Sequence, residues 1–137
     1  MIVADTSLVF HLFNDTELHD IASRVLEQDA YWVVPTLWQE EYANILSKLA
    51  RKEKRSLDEV VKHFHYTVSQ LKHCEIFVDN EKALKLSVES RISVYDAHFV
   101  ALAIDFDTLL VTEDKEILKN CPNLSIGMQA FLQLASV

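Results

Sequence analysis

Met1-Ile2-Val3-Ala4-Asp5-Thr6-Ser7 opens the chain with an unbroken apolar run that ends at an acid and two hydroxyls. A strand with one wet face alternates apolar and polar side chains. One without alternation is covered on both faces, as in a parallel sheet. The Asp5-Thr6-Ser7 that follows reads as a polar turn and helix start. Residues 31–34, 75–78 and 109–111 are further short apolar runs, and residues 124–126 make a weaker fifth. The segments between them have helical character. Strands this short leave room only for crossover connections, so the expected class is α/β, a three-layer α/β/α sandwich around a parallel sheet of about five strands.

The helices announce their own starts. Leu8 to Phe13 continues the first turn as a short helix. Asn14-Asp15-Thr16-Glu17 has capping-box spacing for a helix to about Asp29, and Thr36 with Gln39 repeats it after Pro35 for a helix to about Arg51. Ser56 with Glu59 opens another to about His73, Asp79-Asn80 one to about Arg91, and the last starts near Met128.

The totals exclude whole classes of chemistry. At 137 residues the chain is expected to be one domain spanning 1–137. Its only glycine is Gly127, so neither a Walker loop nor a dinucleotide fingerprint can form, since both need several glycines where backbone approaches phosphate. A net charge of -8 argues against a surface that coats nucleic acid generally, and makes any such role local and cation-assisted. Without a basic, apolar leader or a run near the roughly 20 residues of a membrane span, no membrane association and a cytoplasmic location are expected. Cys74 and Cys121, lacking metal-type spacing, are expected to be reduced thiols.

Ser93-Val94-Tyr95-Asp96-Ala97-His98-Phe99-Val100-Ala101-Leu102-Ala103-Ile104 is the most continuously apolar stretch, with an acid on an unexpected face. With Val94 at zero, His98 and Asp105 fall at roughly 40° and 20°, a narrow solvated stripe, while Asp96 falls at roughly 200° beside Phe99, Val100 and Ala103. A buried charge needs a partner. Ser93 as N-cap with Asp96 three residues on supplies a local one, and a metal or catalytic cluster is the other.

Three more acids stand at informative places. In an open parallel sheet, ligands collect outside the carboxyl ends of the strands. Asp5 ends the first strand and Asp114 lies just past the fourth, so both sit at one edge, although Asp5 could bond its own turn and Asp114 could cap the helix of Lys115 to Lys119. On the helix after Pro35, with Leu37 at zero, Glu40 lies at roughly 300°, toward water, while Glu41 lies at roughly 40°, between Leu37 and Ile45 on the shoulder of the buried stripe. Two carboxylates about 4 Å apart repel by roughly 4 kcal/mol at an effective dielectric of about 20, so four together must share protons or hold a cation. Oxygen-only ligands select Mg²⁺ or Mn²⁺. Such an ion acidifies bound water and neutralises charge on a phosphoryl oxygen, which is the chemistry of phosphodiester hydrolysis.

These residues resemble the PIN-domain ribonucleases, specifically the small toxins of the VapC type. The likeness is carried by Ile2-Val3-Ala4-Asp5-Thr6-Ser7; by Pro35, Leu37, Glu41, Asn44 and Leu46; by Tyr95-Asp96-Ala97 with Val100-Ala101-Leu102-Ala103; and by Leu110-Val111-Thr112 with Asp114. The segments are short, but their order and spacing cover nearly the whole chain. The resemblance implies a PIN-like fold and a Mg²⁺ or Mn²⁺ site from Asp5, Glu41, Asp96 and Asp114, with Ser7 and Thr112 at secondary polar positions. It further implies an endoribonuclease acting on RNA as the toxin of a toxin-antitoxin system, a cognate antitoxin that neutralises it, and a homodimer. Glycines are fewer than the family pattern has around residues 106–108.

Other features carry less. Arg51, Lys52, Lys54 and Arg55 gather where a helix is expected to end, a favourable place for cations and also a possible grip on RNA phosphates. His63 and His65, two apart on a helix, do not share a face and make no metal pair. Thr6 and Ser7 have no base or nucleophile-elbow context for covalent hydrolysis. Trp32 and Trp38 are expected in the core or an interface. A catalytically inactive PIN-like binding module is the main alternative function. A phosphatase of the haloacid dehalogenase class is disfavoured, because its Asp-x-Asp would have to stand where Asp5-Thr6-Ser7 does.

Overall fold

The computed structural model describes residues 1–135. Five strands, β1 (Ile2–Ala4), β2 (Trp32–Pro35), β3 (Glu75–Ile76), β4 (Leu110–Val111) and β5 (Ser125–Ile126), form one sheet in the order β3-β2-β1-β4-β5. Every pairing is parallel, with Val3 opposite both Val33 and Leu110. All residues of β1, β2 and β4 are buried, as their unalternating apolar sequence requires. The two edge strands have two residues each, too short to template pairing with another chain.

Helices α1 (Thr6–Phe13) and α2 (His19–Gln28) connect β1 to β2, and α3 (Trp38–Glu53) and α4 (Leu57–Leu71) connect β2 to β3. Then α5 (Asn80–Ser90) and α6 (Val94–Asp105) carry the chain back across the sheet to β4, α7 (Lys115–Asn120) leads to β5, and α8 (Met128–Leu134) closes the fold. Because parallel crossovers are right-handed, reversing the direction of travel reverses the face. Helices α1 to α4 therefore cover one face and α5 to α7 the other, while α8 joins the first by packing on α2, where Gln28 Nε2 donates to the Phe131 carbonyl at 2.9 Å. The direction reverses between β1 and β4. That is the switch point of the sheet, where a crevice opens beyond the strand ends.

Helix α6 is the central element of its face, packing across β1, β2 and β4. Residues 97 to 103 are all buried, so its near-continuous apolar composition reflects cover on all sides. This corrects the expected solvated stripe. Only Asp105 is exposed, paired with Lys82; His98 is buried, its Nδ1 bonded to the Val94 carbonyl at 2.7 Å and its Nε2 near Asn80 Oδ1 at 3.0 Å. The covering neighbour is α5, which a single-helix projection cannot anticipate. Trp32 and Trp38 are core residues, and Cys74 and Cys121 are free thiols.

Strand and helix order follow the expectation, but several caps do not. Ser93 does cap α6, its Oγ accepting from the Asp96 N–H at 3.0 Å. Helix α2 starts at His19 and α3 at Trp38, neither with a side-chain cap, and Ser56 and Asp79 occupy N-cap positions without capping bonds. Three residues of the expected capping boxes bond elsewhere: Asn14 Nδ2 donates to Tyr42 Oη at 3.0 Å, Thr16 Oγ1 pairs with His11 Nδ1 at 2.8 Å, and Gln39 Nε2 donates to Glu75 Oε1 at 2.6 Å. Among the described residues no helix is long and apolar enough to cross a membrane.

Candidate active site at the switch point of the sheet

Four segments distant in sequence converge at the carboxyl ends of β1 and β4. Asp5 directly follows β1 and caps α1; Asp114 follows β4 and caps α7; Glu41 lies in the first turns of α3; and Asp96 lies in the first turn of α6. All four line one cleft of about 220 Å³, together with Thr6, Ser7, Asn44 and Ile45. The helical face separated the paired glutamates correctly, since Glu40 is exposed and Glu41 half-buried.

Asp5 is the most enclosed, at 8% exposure. Its Oδ1 accepts from the Thr6 N–H at 2.9 Å, and its Oδ2 from Thr112 Oγ1 at 2.5 Å and Ser7 Oγ at 3.3 Å. The Thr112 oxygen in turn accepts from the Asp114 N–H at 3.0 Å, so one hydroxyl on the β4 side links the two strand-end acids. Asp114 Oδ1 accepts from the N–H groups of Glu116 and Ile117 at 2.9 and 3.0 Å. The local turn and cap expected for these aspartates are therefore both real, and both residues still face the cleft. Glu41 Oε1 accepts from Thr6 Oγ1 at 2.8 Å.

The acids perturb one another. Burial lifts the Asp5 carboxyl above its ordinary range against the pull of its bonds to Thr112 and Thr6, and Asp114 adds to the rise. Glu41 is pushed up to about 7, first by burial and then, against its Thr6 bond, by the charges of Asp5, Asp96 and Asp114. Asp96 is pushed up to about 6 by burial, Asp114 and Asp5. Each shift has the same meaning: the cleft holds more negative charge than it can solvate, and a proton or a cation relieves it.

Among the described residues, however, no three acids, histidines or cysteines draw together closely enough to hold an ion by themselves. That is compatible with Mg²⁺, which usually keeps several waters and takes only one or two carboxylates. The donor set fits: it is all oxygen, carries surplus charge and is partly open to water. Zinc, which favours nitrogen and sulfur, has no such donors lining the cleft.

The sequence pattern pointed to no site role for Thr6 or Asn44. Thr6 bonds two of the acids, and Asn44 lines the cleft three residues after Glu41. The signal for Asn44 was present, because residues three apart share a helical face. Arg51, Lys52, Lys54 and Arg55 are exposed at the far end of α3, outside the cleft, and Arg55 pairs with Glu53 at 2.6 Å.

A family model described as the PIN domain matches residues 2–121. Among solved structures, the crystal structure of PAE2754 from Pyrobaculum aerophilum aligns with a TM-score of 0.74 at 21% identity, covering 99% of this chain and 90% of that one. At that identity the likeness concerns the fold. No curated protein matches the chain.

Proposed function

The chain belongs to the PIN domain family, and from that premise we propose that it is a metal-dependent endoribonuclease hydrolysing RNA phosphodiester bonds. Members of the family are generally nucleases. The observation that carries the reading is the meeting of Asp5, Glu41, Asp96 and Asp114 in one cleft at the switch point, with Glu41 and Asp96 held well above ordinary carboxylate pKa values. These four would hold Mg²⁺ or Mn²⁺. A hard divalent ion supplies acidified water and neutralises charge building on the phosphoryl oxygens. The protein's part is positional: Ser7 and Thr112 orient Asp5, the α7 amides orient Asp114, and the Ser93 cap fixes the turn that carries Asp96.

Arg51 and Lys52, in the last turn of α3, lie ten residues and more beyond Glu41 on the same helix, about 15 Å along its axis. With Lys54 and Arg55 they form a basic patch that an RNA strand running from the cleft could reach. The sequence resemblance further supports the role of toxin in a toxin-antitoxin pair, a cognate antitoxin that covers the cleft, and a homodimer.

The test is cleavage of transfer and ribosomal RNA in Mg²⁺ and Mn²⁺. Asp5→Asn and Asp96→Asn should each abolish it with the fold intact by circular dichroism. Full activity in both would refute the assignment. The alternative is a catalytically inactive PIN-like module that binds without turnover. RNA binding with no cleavage in either metal would establish it.

A further inference from the structure

Thr6 touches two of the four acids by different means. Its backbone N–H donates to Asp5 Oδ1 at 2.9 Å, and its hydroxyl donates to Glu41 Oε1 at 2.8 Å across the space between α1 and α3. The residue is 4% exposed, so water does not compete freely for that hydroxyl. Glu41 has one more rotatable bond than the aspartates, and nothing on its own helix bonds its carboxylate. Left alone, such a side chain samples several rotamers. A lysine or arginine in place of Thr6 would fix it and also neutralise it. A hydroxyl fixes it while leaving its charge for another ligand.

We propose that Thr6 is a positioning residue for Glu41, its hydroxyl holding the Glu41 carboxylate in the orientation in which that residue would serve a divalent cation in the cleft. This rests on the cation-binding reading above. Asp5 is reached through the Thr6 backbone, which a side-chain substitution preserves, so the hydroxyl's effect on Glu41 can be isolated.

The experiment is Mn²⁺ titration, by calorimetry and by electron paramagnetic resonance, of the unmutated protein and of Thr6→Val, Thr6→Ser and Asp5→Asn. Loss of a group that orients a metal ligand typically weakens affinity about 10- to 100-fold. Thr6→Val should show that loss, Thr6→Ser should not, and on a Glu41→Gln background Thr6→Val should have no further effect. Equal affinity of Thr6→Val and the unmutated protein would overturn the proposal, as would an undiminished loss on the Glu41→Gln background, which would mean that the residue acts through the fold. If Thr6→Val does not fold, Thr6→Ala takes its place and must weaken binding where Thr6→Ser does not. Asp5→Asn distinguishes the levels: if it binds Mn²⁺ as the unmutated protein does, the cation site itself is refuted, and this role of Thr6 with it.

Discussion

Glu41 shows how a single residue is determined at two levels. Its angle on the helix placed it off the solvated face, but its chemistry depends on three carboxylates from other parts of the chain. It holds its proton in the folded state up to about 7, whereas its ordinary value is 4.5. Between those values the folded state binds more protons than the unfolded one, so stability falls as pH rises through the window. Asp96 adds the same sign between 3.8 and about 6. Thermal melts in chelator should give a Tm that drops as pH rises from about 5 to about 7.5, a slope that Glu41→Gln flattens and saturating Mn²⁺ offsets. A Tm rising steadily with pH would show that the carboxyls do not burden one another. His98 is the opposite case. Its polar side chain suggested solvent, and its burial is explained by the Val94 carbonyl on its own helix together with Asn80 on α5.

At the scale of elements, the chain manages helix ends almost without glycine. Lys54, Arg91 and Asp107 adopt left-handed φ values of 52°, 57° and 49° after α3, α5 and α6. Asp107 falls where the family pattern has more glycine, and aspartate tolerates that conformation better than most side chains. Arg91 has no such tolerance. Its side chain is exposed, and its backbone geometry is fixed by the bonds from its own N–H and that of Ile92 to the Ser87 carbonyl. Replacing Arg91 with glycine should therefore stabilise the protein by about 0.5–1 kcal/mol, relief of the left-handed penalty exceeding the entropy glycine adds to the unfolded chain. Urea unfolding measures it, and a loss of stability would mean that the arginine side chain contributes more than its exposure implies. The helix starts carry a different lesson. A capping bond contributes about 1 kcal/mol, little enough that a side chain with a better partner elsewhere leaves it. Gln39 bonds Glu75 and Asn14 bonds Tyr42, and neither partner is near in sequence.

For the molecule as a whole, a net charge of -8 and an acid-lined cleft oppose an RNA backbone. In the proposed function, cations held in the cleft and exposed basic side chains such as those at the end of α3 offset that repulsion. Replacing Arg51 and Lys52 together with alanine should weaken RNA binding similarly for all sequences and reduce the salt slope by about 1 for each phosphate no longer neutralised. Binding measured across a range of salt concentrations checks this, and an unchanged slope would remove the patch from the RNA path.

The sequence by itself determined the kinds and order of the elements, because apolar runs without alternation can be buried only in a covered parallel sheet and their spacing admits only crossovers. It also singled out Asp5, Glu41, Asp96 and Asp114, since strand ends and helical faces are local geometry. The order β3-β2-β1-β4-β5 was decided only in three dimensions, and with it the crevice between β1 and β4 that brings those acids together. So were the burial of His98, the bonds of Asn14 to Tyr42 and of Gln39 to Glu75, and the bond of the Thr6 hydroxyl to Glu41. Each depends on which distant segment lies alongside, and a short-range pattern carries no record of that.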